Sequence, residues 1–356
     1  QLAVHAQQGR RGGPGGTDAG ALDLQQGWLR WSGRTGTVQI GRQEISYGSS
    51  RLLSVRDGPN IRLAFDGVRG RWQHDAWRVD ALALRPVENR RGAFDDRSTQ
   101  GEHLAGIYAT RSDATRSTEG GSGTPAAQVL DLYLLDHARE DARFAVGTGD
   151  ERRQSVGMRH AGTQGPWDWN TEVVAQAGDL RMPTRTLSIR AWTLASDTGW
   201  QAVSLPGTPR FGLKLDVASG DRHADDGQLQ TFNALYPRAS YFSEAALLAP
   251  ANLIDLQPGV QLRPGPGWTT EIAWQWAWKQ ARADAVYLTP TPLTPLAGSA
   301  GGARRIGTQI KWETRWQASD HWQWQLHLAW IDAGPALRQA GGRDTRYAAI
   351  TGAWQW

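Results

Sequence analysis

The chain contains no cysteine, which excludes a disulfide framework and thiolate metal sites and is neutral between compartments. It has three lysines, Lys214, Lys279 and Lys311, so almost all of its 39 basic residues are arginine. No run approaches the roughly 18 apolar residues that a spanning helix requires. A mean hydropathy of -0.53 with 39% apolar residues also excludes a helical membrane protein. No stretch sustains a 3.6-residue period. Neither a Gly-x-Ser-x-Gly elbow nor a His-Glu-x-x-His pair occurs, and the eight histidines are scattered, so no enzyme chemistry and no cofactor are expected.

What the chain does have is tryptophan, 19 of them, concentrated in segments that alternate apolar and polar residues. From Ile306 to Trp316 the even positions are Ile306, Thr308, Ile310, Trp312, Thr314 and Trp316, against Gly307, Gln309, Lys311, Glu313 and Arg315. After a turn at 318–320, Trp322, Trp324, Leu326, Leu328 and Trp330 oppose His321, Gln323, Gln325 and His327. Successive strand side chains point to opposite faces, so this hairpin has one greasy face and one charged face. A soluble sheet could also divide this way, as in an arginine-rich polyanion-binding protein. The quantity of tryptophan and the repetition of the pattern from end to end fit a bilayer better, where a barrel meets lipid outside and water inside.

Alternating segments fall near 1–8, 21–32, 35–47, 60–72, 76–87, 102–111, 127–138, 152–162, 166–178, 185–195, 199–205, 210–218, 253–263, 267–279, 304–317, 320–332 and 343–356. Their length of about 9 to 13 residues suits tilted spanning strands. No composition break divides the chain, so residues 1–356 read as one all-β domain, a transmembrane antiparallel β-barrel. Single-chain bacterial barrels have even strand numbers, which gives 18 strands with one missing or merged, or 16. Long polar connections at 48–60, 89–101, 112–125, 219–252 and 280–303 are expected outside the cell, and short turns on the periplasmic side. The chain begins inside an alternating segment without a signal peptide, as a mature or trimmed outer-membrane protein of a Gram-negative bacterium would. It ends Ala353, Trp354, Gln355, Trp356, similar to the terminal signal of such proteins.

Parity then assigns a lumen. A bulge near Gly41 would turn Arg42 and Glu44 inward, and a phase shift at Gly67 would leave Arg62, Asp66, Arg69 and Arg71 facing the interior. Arg159, Glu172, Arg190, Lys214, Asp216, Lys311, Glu313 and Arg315 fall on the inward face of later strands, with Leu187, Ile189 and Ala191 outward. Asp221, His223, Asp225 and Asp226 could hold Ca²⁺, but the run lacks the glycine of an EF-hand loop and a solvated loop is preferred; no other metal is indicated. The outward tryptophans read as interfacial girdles and lipid contacts in preference to sugar-stacking platforms.

Particular residues carry a resemblance. Gly41-Arg42-Gln43, Tyr47-Gly48 and Arg51, then Asn60, Arg62, Phe65 and Asp66, resemble the opening signature of the alginate export family of outer-membrane porins. Gly157-Met158-Arg159, Glu172 with Gln176 and Gly178, Ser219-Gly220-Asp221, Thr231 to Pro237, and Asn252-Leu253 follow in family order. The resemblance implies an 18-stranded barrel whose arginine-rich constriction passes an acidic polysaccharide outward, with Arg42, Arg62, Asp66, Arg159 and Glu172 in the lumen. Expected partners are outer-membrane lipid and lipopolysaccharide, an anionic polysaccharide or small organic anions, and periplasmic export proteins, with no nucleic acid. An uptake porin for small organic anions and a structural or partner-binding barrel are the alternatives.

Overall fold

Alternation in the chain becomes alternation across a single curved sheet. The computed structural model describes residues 1–9, 17–56, 60–114, 127–238, 240–289 and 293–355. The strands are β1 (Leu2–His5), β2 (Gly20–Leu24), β3 (Gly27–Ser32), β4 (Gly36–Gln43), β5 (Phe65–His74), β6 (Trp77–Glu88), β7 (Arg97–Ser98), β8 (Glu102–Ala114), β9 (Ala127–Phe144), β10 (Gly147–Gln164) and β11 (Trp167–Arg181). They continue as β12 (Thr186–Gln201), β13 (Arg210–Ala218), β14 (Gln228–Leu229), β15 (Leu253–Leu262), β16 (Trp268–Trp278), β17 (Tyr287–Leu288), β18 (Thr294–Pro295), β19 (Arg305–Gln317), β20 (Trp322–Ala333) and β21 (Thr345–Trp354). One short helix, α1 (Pro335–Gln339), joins β20 to β21.

The sheet closes into a barrel in which β21 neighbours β3. Among the described residues the ring holds fifteen strands of six residues or more, with the two-residue pieces β7 and β14 beside them. The count of 18, or 16, is therefore not reached. The segment expected at 1–8 pairs with β2 in a separate ribbon, and the segment expected at 199–205 is the end of β12 and the turn after it. Strand directions put the turns 33–35, 75–76, 165–166, 202–209, 263–267 and 318–321 at one end with the C-terminal end of β21. The long connections 44–64, 89–101, 219–252 and 279–304 share the other end with two short ones, 145–146 and 182–185. The loop expected at 112–125 lies mostly outside the described residues, but the strand ends it joins, at 114 and 127, are at the short-turn end and not with the other long connections as expected.

The outer face has a defined belt. Ile107, Leu134, Val156, Ala175 and Trp192 form one register row across β8 to β12, all outward. Trp31, Trp72, Trp167, Trp200, Trp268, Trp316 and Trp322 lie toward the short-turn end, and several stack in pairs, as Trp268 and Trp316 do with ring centroids 5.0 Å apart. From Val156 to the end of β10 is eight residues, about 20 Å of barrel height at a strand tilt near 40°. That is close to the apolar band a barrel presents to the outer membrane. Beyond the belt the outward positions turn polar: Asp136, Gln154 and Arg190 occupy the next row, then Arg152 and Asp179.

The interior is more apolar than parity alone implied. Inward Phe65, Leu82, Leu84, Leu104, Tyr133, Leu135 and Val174 bury themselves against loop residues Leu52, Leu53, Phe232, Leu235 and Tyr236. The connections 44–64 and 219–252 fold into the barrel and bond to each other, Tyr236 N–H donating to the Leu52 carbonyl at 2.9 Å. This explains the phase change read near Gly41 and Gly67. Pairing runs unbroken through Gly41↔Gly67, so there is no bulge. Ile45, Tyr47, Ile61 and Leu63 are apolar because they face a packed interior, whereas Val38, Ile40 and Val68 are apolar because they face the belt. The two glycines take φ of +127° and +150°, and a Cβ on either would come within 2.4 Å of the neighbouring strand's backbone.

Candidate functional site

The charged interior has two parts, set by which strands leave room beside the inserted loops. On the β3 to β6 wall, Arg30, Arg69, Arg71 and Arg78 point inward with one carboxylate, Asp80, among them. Arg71 grips Asp80 in two bonds, of 2.6 Å and 2.9 Å. Among the described residues Arg30 and Arg69 pair with no carboxylate; both donate to the side-chain carbonyl of Gln39, at 2.6 Å and 3.2 Å for their closest contacts. Two guanidinium groups sharing one neutral acceptor keep most of their donors for something else.

The second part is a polar cavity of about 170 Å³ along β12, β13, β15, β16 and β19, lined by Arg210, Lys214, Lys311, Glu271, Glu313 and Tyr241 among others. A further cavity of about 150 Å³ shares Glu271 and Glu313 with it and reaches Arg315 and His327. Lys311 stands between Glu271 and Glu313 at 3.4 Å and 3.5 Å. Arg210 bonds Asp168 and Asp197 at 2.6 Å and 2.9 Å. The Lys214 ammonium lies 4.9 Å from the centre of the Tyr241 ring. In the larger cavity Arg210, Lys214, Arg238 and Lys311 face Asp197, Glu244, Glu271 and Glu313, four charges of each sign.

Loop insertion positions Tyr241. Its hydroxyl donates to Asp216 at 2.9 Å and accepts from Arg51 Nε at 2.6 Å. Arg51, buried in the 44–64 connection, lies 3.5 Å from Glu172 and 3.8 Å from Asp216. Glu172 also accepts from Tyr133 Oη at 2.7 Å and Ser49 Oγ at 3.0 Å. Burial disfavours the charged form of Arg51, but Tyr241 and the two carboxylates outweigh it and raise its pKa, so it stays a cation. Arg51 thus ties one inserted loop to another and to two strands, and the ring it holds narrows the cavity.

The expected lumen residues divide. Arg69, Arg159, Glu172, Lys214, Asp216, Lys311, Glu313 and Arg315 have inward parity, Arg159 bonded to Asp131 at 2.7 Å and Asn170 at 2.8 Å. Arg42, Glu44 and Asp66 do not. Without a bulge they share the outward parity of Ile40 and Val68, above the belt, where Arg42 and Asp66 pair at 2.9 Å and Ser98 of the 89–101 connection donates to Asp66. Arg62 precedes β5, is exposed and pairs with Glu44 at 3.1 Å. Arg190 is also outward and exposed, while Leu187, Ile189 and Ala191 are buried inside, the reverse of the parity expected. That strand crosses the top of the belt, where water lies outside and packed loops lie inside, so hydrophobicity no longer marks the lipid side.

The Ca²⁺ site does not assemble. Asp225 is exposed and lies 3.7 Å from Arg185, and Asp221 is buried, next to Asp284. Asp221, Asp225 and Asp226 are absent from the carboxylate clusters found among the described residues, where Asp23, Asp95 and Asp96 form the one close group. Several interior cations were not singled out in the sequence. Arg30 opposes Leu29 and Trp31 and could have been placed by parity. Arg153, two residues before the inward Ser155, is fully buried and donates to Gln176 and to the Thr231 carbonyl. Arg51 was named only as part of the family resemblance, with no place assigned, because it lies in a loop, where no periodicity applies.

A closed antiparallel barrel with an aliphatic and tryptophan belt outside and charged residues inside defines an outer-membrane channel protein of a Gram-negative bacterium. Solved structures agree on the fold. OpdK of Pseudomonas aeruginosa, determined with vanillate, superposes with a TM-score of 0.57 at 12% identity, over 92% of this chain and 77% of that one. OccK2 (OpdF) of P. aeruginosa, in complex with glucuronate, gives 0.55 at 12% identity over 92% and 81%. OccAB1 of Acinetobacter baumannii gives 0.56 at 11% identity over 92% and 75%. No curated protein matches the chain. The chain belongs to the alginate export family, whose profile matches residues 2–351.

Proposed function

We propose that this channel passes anionic solutes, with export of an acidic exopolysaccharide of the alginate type as its main task. The observation that carries this reading is the inner wall of Arg30, Arg69, Arg71 and Arg78 against Asp80, the single carboxylate on that wall among the described residues. Arginine stays ionised and matches a carboxylate in two-point contact, so a sugar acid would exchange water for guanidinium along that wall. At a Debye length of about 8 Å, these charges act on an anion anywhere in a narrowed lumen. Glu271 and Glu313 beside Lys311 would keep each contact weak, and transport needs many weak contacts in place of one deep site. In this reading the long connections lie outside the cell and the short turns in the periplasm.

Uptake of small organic anions is the second reading. It is favoured by the inserted loops, which leave a cavity of about 170 Å³, nearer the size of one sugar acid than of a chain. The glucuronate in OccK2 and the vanillate in OpdK are both carboxylates. Liposome swelling separates the two. Swelling by oligouronates as well as by monouronates supports export; swelling by monouronates alone supports uptake. Absence of bilayer conductance would overturn both and leave a structural barrel.

A further inference from the structure

Arg190, displaced from the lumen, has company on the outer wall. Above the belt the outward residues of β10 to β12 include Arg152 and Arg190, both exposed. Neither makes an ion pair among the described residues. The carboxylate registered beside Arg152 is Asp179, and it is taken by Arg181 at 3.2 Å. Between the two arginines runs β11, whose outward residues there are Asp179, directly beside Arg152, and the small Ala177 and Ala175 below it. Ala177 is registered with Arg190 and Gln154, and Ala175 with Val156 and Trp192.

The surface therefore has a floor of alanine methyls with Val156 on one side and Trp192 on the other, and it opens upward between two unpaired guanidinium groups. Two strand spacings and one register row separate Arg152 from Arg190, about 12 Å, which two extended arginine side chains can close onto one phosphate. An acyl chain fits the floor, and the charge sits where the apolar belt ends.

We propose that this face holds one molecule of a phosphorylated glycolipid of the outer leaflet, with a phosphate between Arg152 and Arg190 and an acyl chain over Ala175 and Ala177. The inference rests on the long-connection end facing outward, and it is independent of what passes through the lumen. An ordinary anionic phospholipid would satisfy the charge but offers a single diester, whereas a phosphomonoester presents more charge and more acceptor oxygens to two forks.

The test is native mass spectrometry of the delipidated protein in detergent, titrated with bis-phosphorylated lipid A, with dephosphorylated lipid A and with phosphatidylglycerol. Wild type is expected to retain the phosphorylated lipid A and to lose about tenfold in affinity for it in the Arg152→Gln/Arg190→Gln double variant, the loss expected for a charge-assisted contact. Arg181→Gln, which frees Asp179 to pair with the neighbouring Arg152, should also weaken binding. Ala175→Trp, which fills the floor and leaves both guanidinium groups, should also weaken binding. Bilayer conductance of the double variant should equal wild type, since neither side chain faces the lumen; this keeps a failed lipid site distinct from a failed channel. Equal retention by wild type and double variant overturns the proposal. So does equal binding of dephosphorylated lipid A. Phosphatidylglycerol binding as tightly, and weakening as much in the variant, overturns the glycolipid assignment.

Discussion

The Arg30 and Arg69 pair offers the sharpest test of the charged wall. Both guanidinium groups donate to Gln39 and neither pairs with a carboxylate among the described residues, so changing both to glutamine removes two charges without stranding a buried acid there. For an anion about 8 Å from each, with an effective dielectric constant of about 40 to 80, the bare interaction is about 0.5 to 1 kcal/mol per charge. Screening at physiological ionic strength reduces the pair to roughly 0.4 to 0.8 kcal/mol in total. With tenfold per 1.4 kcal/mol the anion term changes roughly two- to fourfold and the cation term by as much in the opposite sense, so the anion-to-cation permeability ratio should fall roughly four- to fourteenfold. The assay is the reversal potential of the reconstituted channel under a KCl gradient. Arg85→Gln is the matched control, because Arg85 is exposed on the outward face, registered with Asp66, and its removal should leave the ratio unchanged. A double variant with wild-type selectivity, or an equal drop in the control, would refute the argument that the inward wall sets selectivity.

Three further outcomes follow from the interior. Gly157 is registered with Tyr133, and a Cβ there would lie 2.1 Å from a ring that is itself stacked on Tyr108 at 5.1 Å; Gly157→Ala should cost about 1 to 3 kcal/mol, read as a lower temperature for heat-modified gel mobility. Lys279 donates to the carbonyls of Arg282, Asp284, Ser299 and Gly301; Lys279→Met should loosen the 279–304 connection by on the order of 3 kcal/mol, and proteolysis there no faster than in wild type would count against it. Burial and the nearby Asp284 push the Asp221 carboxyl up from 3.8 to about 6. Between those values the folded form holds more protons than the unfolded one, so docking of that loop is strongest below the lower value and weakens as pH rises to the upper. Hydrogen exchange of 219–231 should follow that profile in wild type and lose it in Asp221→Asn.

Much of the architecture was legible in the chain. Fifteen of the expected segments became ring strands, and the two faces of Trp312, Trp316, Trp324 and Trp330 against Lys311, Glu313 and Gln325 are those that alternation assigned. Within the belt a strand residue meets either lipid or lumen, so the side-chain pattern is a direct record of side. The failures cluster above the belt or against the loops. Arg42, Asp66 and Arg190 are charged and outward because water replaces lipid there, and Ile45, Leu187 and Ile189 are apolar and inward because inserted loops replace water.

By itself the sequence determined the barrel, its greasy outside and the strand-borne cations, because each of these depends on a period of two residues and on local chain chemistry. Only the tertiary structure decided how many strands close the ring, which loops enter it, and that Arg51 reaches Tyr241, Glu172 and Asp216 across more than a hundred residues of chain. Those outcomes depend on which distant apolar groups bury each other, and a contact between remote segments leaves no period in either of them.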